Sequence, residues 1–159
     1  MNIAVYCSSS NSIAENYLQT AHSLGEWIAK NGHTLVFGGA TGGSMSAVSE
    51  GAASAGGKII GVIPNAVKRM NRQSPLCTEL VAVKTMSERK AQMQQLADVF
   101  VVLAGSFGTL DEMFDVAAAG VVGEHRKPLI VINENGFYNC LISQIDRMRQ
   151  EKFIPVESE

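Results

Sequence analysis

The chain is short of nearly everything that would tie it to a polymer, a membrane or an oxidising compartment. Its 159 residues hold three cysteines, Cys7, Cys77 and Cys140. The odd count, the wide spacing and the lack of a C-x-x-C pair argue against both a disulfide framework and a zinc site. Thirteen basic and 15 acidic residues leave a net charge of −2 with no run of either sign, unlike the basic face of a nucleic-acid scaffold. One small basic cluster, Lys68, Arg69 and Arg72, sits in a connection and reads first as a solvated loop, although its cations would also suit a phosphate site. Apolar runs stay far below the roughly 20 residues that span a bilayer. Met1 leads straight into an apolar strand without a charged leader, so the expectation is a cytoplasmic chain. His22, His33 and His125 lack metal-ligand spacing and read as surface residues. G-x-G-x-x-G and G-x-x-x-x-G-K-[ST] are both missing, which disfavours dinucleotide-binding and P-loop readings.

What the chain has is alternation. Apolar runs at Ile3 to Cys7, Thr34 to Phe37, Lys58 to Ile63, Leu80 to Val83, Val99 to Leu103 and Leu129 to Ile132 read as strands. Helix-length segments separate them: Ile13 to Lys30, about Ser44 to Ala55, Ser87 to about Ala97, Thr109 to near Val122 and Phe137 to about Glu151. Residues 65 to 78 read as a loop or short helix. Uninterrupted apolar strands imply a sheet covered on both faces. The alternation therefore predicts one doubly wound, Rossmann-like parallel α/β domain over residues 1–159. Ligands bind such sheets at the carboxyl ends of the strands, where three turns of small or polar residues are expected to converge: Cys7 to Asn11, Gly38 to Gly43 and Gly105 to Thr109.

The last of these turns carries most information. A buried strand runs through Ala104, Gly105, Ser106, Phe107 and Gly108 into a helix opening at Thr109, with Asp111, Glu112 and Asp115 close behind. Free N–H groups and the helix dipole make such a turn an anion site, phosphate above all. Thr109-x-x-Glu112 also fits a capping box, in which Glu112 bonds back to the backbone. Gly42 and Gly43 allow either close approach to a ligand or tight packing. Ser8, Ser9 and Ser10 suit a phosphate or ribose as well as a helix cap. Met86, Ser87, Glu88, Arg89 and Lys90 open the preceding helix, where two cations oppose the dipole. Arg89 paired with Glu112 would reconcile that placement. The methionines Met86, Met93 and Met113 read as core or interface residues.

Together these residues resemble the LONELY GUY-type family of cytokinin riboside 5′-monophosphate phosphoribohydrolases, also labelled "possible lysine decarboxylase". Cys7-Ser8-Ser9-Ser10 is similar to the family's C-G-S-S, and the stretch Gly38 to Ser46 to its G-G-G-x-x-G-L-M-G. Gly56 to Pro64 matches G-G-x-x-I-G-V-I-P, Met86 to Lys90 matches M-x-x-R-K, and His125 to Pro128 matches H-x-K-P. Ala104 to Glu112 falls on the signature P-G-G-x-G-T-x-x-E, with Ala104 and Ser106 in place of its Pro and second Gly. Ser87 replaces the usual His, and the chain ends soon after Pro155, before the family's closing strand and helix.

The resemblance implies a homodimeric hydrolase that splits a nucleoside 5′-monophosphate into free base and ribose 5-phosphate without cofactor or metal. Arg89 and Glu112 would be catalytic. Gly105, Ser106, Phe107, Gly108 and Thr109 would hold the phosphate, with Gly42, Gly43, Ser9, Met86 and Lys90 around the substrate. Neither nucleic acid nor a membrane is an expected partner. The alternatives are a non-catalytic carrier of a phosphorylated ligand, such as a molybdenum-cofactor carrier protein, and a nucleotide sensor. No residue marks a pyridoxal-phosphate lysine.

Overall fold

Strand residues that are apolar at every position bury both faces, and the inner strands here do so by simple alternation, while the two edge strands are only partly buried. In the computed structural model, which describes residues 1–154, β1 (Asn2–Tyr6) continues into Cys7 and turns Ile3, Val5 and Cys7 to one face and Ala4 and Tyr6 to the other. The same alternation recurs in β2 (Thr34–Phe37), β3 (Lys58–Pro64) and β5 (Val99–Val102). With β4 (Glu79–Val83) and β6 (Leu129–Val131) they form one six-stranded parallel sheet in the order β4-β3-β2-β1-β5-β6. The expected doubly wound α/β fold is present.

Helices α1 (Glu15–Lys30) and α2 (Gly43–Ser54) cover the face carrying Ile3, Leu35 and Ile59. The opposite face packs against α4 (Met86–Leu96) through Met93 and α5 (Phe107–Val121) through Met113 and Val116. Met93 and Met113 are thus core residues, whereas Met86 is half exposed. The connection after β3 contains a short helix, α3 (Asn65–Arg69), and a 3-10 turn (Glu134–Gly136) precedes α6 (Asn139–Gln150). Among the described residues no helix is long and apolar enough to cross a membrane. Residues 155–159, Pro155 among them, lie outside the described residues.

Two helix starts differ from the sequence reading. Helix α4 is capped by Thr85, not Ser87: its hydroxyl accepts from the Glu88 N–H at 3.1 Å, and Glu88 Oε2 accepts from the Lys84 N–H at 2.8 Å. The T-x-x-E pattern therefore caps at Thr85. It does not cap at Thr109, because α5 begins at Phe107 with Ser106 as its N-cap and Leu110 N–H bonding to Ser106 O at 3.0 Å. The apolar stripe decides this start. Helical spacing of Thr109, Glu112, Met113 and Val116 turns all four inward, leaving Glu112 a turn too deep to reach back to the helix end.

His125 is also not a free surface residue. Its Nε2 lies 3.0 Å from Val116 O and its Nδ1 accepts from Lys127 N–H at 3.1 Å, while Lys127 Nζ donates to Gln94 O at 2.6 Å. The H-x-K-P stretch thus ties α5 to α4.

Helices α1 and α2 meet backbone to backbone. A methyl group on Gly25 would overlap Val48 O and lie 2.9 Å from Ala52 N, and one on Gly51 would overlap His22 O. Gly25→Ala is expected to cost about 3 kcal/mol in overpacking against roughly 1 kcal/mol gained in helix propensity. Urea unfolding should therefore show a net loss of about 2 kcal/mol.

Candidate active site

The strand order reverses between β1 and β5, so the loops leaving their carboxyl ends diverge and open a crevice. A cavity of about 360 Å³ lies there, with Cys7 to Ser10 after β1, Gly38 and Ala40 after β2, Pro64 and Val67 at and beyond the end of β3, and Ser106, Gly108, Thr109, Asp111 and Glu112 after β5 contributing to its lining. Met86 and Arg89 enter from the start of α4, and Met45 and Arg72 complete the wall.

The floor is an ion pair. Arg89 Nη1 donates to Glu112 Oε1, and each residue is only 5% exposed. Arg89 Nε also donates to Val62 O at 3.1 Å, at the end of β3. Burial pushes the Glu112 carboxyl above the ordinary glutamate range, while the charge and hydrogen bond of Arg89 pull it down. Burial outweighs that pull. Burial also pushes up the neighbouring Cys7 thiol and Tyr6 phenol. Cys7 is protonated at neutral pH and is no nucleophile there.

Above this pair stands the first turn of α5. Ser106 makes no side-chain cap, and the N–H groups of Phe107, Gly108 and Thr109 meet no acceptor among the described residues. The turn is fixed from behind by Tyr138, whose hydroxyl donates to Leu103 O at 2.7 Å, and by Thr109, packed so tightly on Gly105 that no side chain fits at that position. Among the expected site residues, Ser9, Met86, Arg89, Ser106, Gly108, Thr109 and Glu112 come together around the cavity.

Other expected residues are placed elsewhere. Gly42 and Gly43 are not free to face a ligand: the Gly42 N–H donates to Ser46 Oγ at 2.8 Å and the Gly43 N–H to Asn11 Oδ1 at 2.9 Å. Their positive φ angles, 111° and 46°, and their contact with the Ser9 and Ser10 carbonyls give them a packing role, closing one loop on the other. Lys90 turns away to Asp111 at 3.1 Å and Asp115 at 3.2 Å, joining α4 to α5. Phe107 is 91% exposed, its side chain outside the cavity. The serines do not cap α1, whose N-cap is Ala14. Ser8 and Ser10 instead accept from the N–H groups two residues on, at 3.1 and 3.3 Å.

Arg72, read from the sequence first as part of a solvated loop, lines the cavity. Its segment pairs with the glycine loop, with Thr41 N–H donating to Arg72 O at 2.8 Å and Ser74 N–H to Gly39 O at 2.8 Å. The side chain touches Thr41 O at 3.4 Å and, among the described residues, makes no ion pair. Since Arg89 is paired with Glu112 and Asp111 with Lys90, Arg72 carries the cavity's uncompensated charge. Its only sequence signal was the small basic cluster in a connection.

A sequence profile of the family described as "Possible lysine decarboxylase" matches residues 45–159. The chain belongs to this family. It is 36% identical over 152 residues, 96% of its length, to the cytokinin riboside 5′-monophosphate phosphoribohydrolase LOG5 of Arabidopsis thaliana, covering 67% of that protein. It is 37% identical to the probable cytokinin riboside 5′-monophosphate phosphoribohydrolase LOGL6 of Oryza sativa subsp. japonica, over 96% of this chain but 61% of the relative. The chain thus spans about two thirds of the length of these relatives. Among solved structures, the molybdenum cofactor carrier protein of Chlamydomonas reinhardtii is similar at 26% identity and a TM-score of 0.73, covering 92% of this chain and 84% of that one.

The electrostatics give a direct test. The Glu112 carboxyl is expected to titrate above the ordinary value of 4.5, and higher still in Arg89→Ala, which removes the opposing cation. Carbon-13 NMR titration of the glutamate carboxyls would read both.

Proposed function

We propose that this protein hydrolyses the N-glycosidic bond of a nucleoside 5′-monophosphate, releasing free base and ribose 5-phosphate, with a cytokinin riboside monophosphate or AMP as the substrate type. The observation that carries the reading is the buried Arg89–Glu112 pair at the floor of a crevice whose rim offers unpartnered N–H groups. The activity of the curated relatives supports it.

The 5′-phosphate would sit on the first turn of α5, receiving the Gly108 and Thr109 N–H groups, with the Arg72 guanidinium supplying charge. Holding the phosphate fixes the ribose over Glu112, so that remote binding energy serves the reacting centre. As the C–N bond breaks, its electron pair leaves with the base and C1′ becomes oxocarbenium-like. The Glu112 carboxylate stabilises that cation or takes a proton from the water whose oxygen bonds to C1′, and that proton ends on the departing base. Arg89 keeps the carboxylate ionised against its burial and orients it.

A carrier of a phosphorylated pterin is the second reading, favoured by the similarity to molybdenum cofactor carriers. It leaves the buried ion pair without a task. Lysine decarboxylation has less to rest on, since no lysine lines the cavity among the described residues.

The experiment is release of free base and ribose 5-phosphate from a panel of nucleoside monophosphates. Glu112→Gln keeps the shape and an acceptor for Arg89 but removes the charge. It is expected to lower kcat by about 10³-fold or more while nucleotide binding persists. Arg72→Ala is expected to raise KM by about tenfold with kcat nearly unchanged, the loss of one charge-assisted contact. Tight pterin binding without base release by the wild type would decide for the carrier.

The same reading includes a homodimer in the cytoplasm, a reducing compartment that suits three free thiols. Phe107, Phe114 and Val121 lie seven residues apart on the outer side of α5 and are exposed, a stripe that a second copy would cover. Sedimentation is expected to give twice the monomer mass, and Phe114→Glu to give a monomer.

A further inference from the structure

The Arg89 guanidinium lies across the ends of two strands to reach Glu112, and space for it exists because position 38 has no side chain. A Cβ built on Gly38 would overlap Arg89 Nη2, come within 3.2 Å of Arg89 Cζ and within 3.1 Å of Met45 Cε. Arg89 and Met45 both line the cavity, so the guanidinium is the group that this Cβ would displace from its seat. Val62 O, accepting from Arg89 Nε, anchors the near end. Gly38 has no backbone reason to be glycine, because it is absent from the positive-φ residues, unlike Gly39, Gly42 and Gly43. Alanine would leave the strand end unstrained; its overlap is with the guanidinium, while the Met45 methyl, at the end of a flexible side chain, need give only a few tenths of an ångström.

We propose that Gly38 is a positioning residue for the Arg89–Glu112 pair, its missing side chain being the seat of the guanidinium. The inference rests on the reading of that pair as the reacting group, but its structural half is measurable without turnover. Glu112 is faced by Arg89 and Lys90 from α4, Tyr6 and Cys7 from β1 and Asp111 from its own helix. Burial holds Tyr6 and Cys7 neutral, and Lys90 is engaged by Asp111 and Asp115. Displacing Arg89 therefore removes the cation in contact with the carboxylate.

Gly38→Ala is expected to lower kcat by about 10²-fold, the scale of a misplaced reacting group, with KM for the nucleotide little changed. The acidic limb of the rate profile should move to higher pH, since the carboxyl loses the partner opposing its burial. The Glu112 NMR titration should move the same way even in a protein that releases no base, which separates this inference from the hydrolase reading. In an Arg89→Ala background the obstacle is gone, so adding Gly38→Ala should change neither the melting temperature nor the titration. If Gly38→Ala alone fails to fold, folding of the double variant supports the proposal. A wild-type titration in Gly38→Ala, or an equal loss in both backgrounds, overturns it.

Discussion

The arrangement depends on keeping two opposite charges together out of water. Removing an ion from water costs several kcal/mol even after relaxation, and losing one partner leaves the other uncompensated. Every element at the site bears on this problem. β3 offers the Val62 carbonyl to the guanidinium, β2 is followed by a residue without a side chain, and α5 turns its sixth residue inward to meet the arginine. A pair so costly to bury is a poor way to gain stability, which is why a chemical task explains it better than a structural one.

The topology supplies the place. Parallel strands that part at a switch point open a crevice between β1 and β5, and α4 and α5 lie on the same face of the sheet. One side chain of the buried pair comes from each helix. The crevice walls come from the loops after β1, β2 and β3 together with the first turns of α4 and α5.

Much of this was legible in the sequence because it follows from periodicity. Apolar runs broken by helical segments dictate a covered parallel sheet, and strand ends rich in Gly and Ser mark its ligand-bearing rim. Arg89 stood out as a cation at the wrong end of a helix. What escaped depended on three-dimensional accounting. Thr85-x-x-Glu88 and Thr109-x-x-Glu112 are alike as strings, yet one caps a helix and the other is buried within one. Gly42 and Gly43 look like ligand contacts until their N–H groups are seen to meet Ser46 and Asn11. Arg72 lies in an irregular segment, where no period says which way a side chain faces.

The contacts between α4 and α5 carry a wider consequence. Lys90 grips Asp111 and Asp115, Gln94 donates to Asp115 at 2.6 Å, and Lys127 reaches back to Gln94 O. The helices bearing the arginine and the glutamate are bolted together along their length, on the side of the sheet away from α1 and α2. The segment with Val67 and Arg72 is joined to this frame only through a strand end and a few loop hydrogen bonds. The fold thus separates a firmly held buried pair from a loosely tied wall. Under the proposed reading, residues 65–74 can change to admit a different base while the pair beneath them stays where it is.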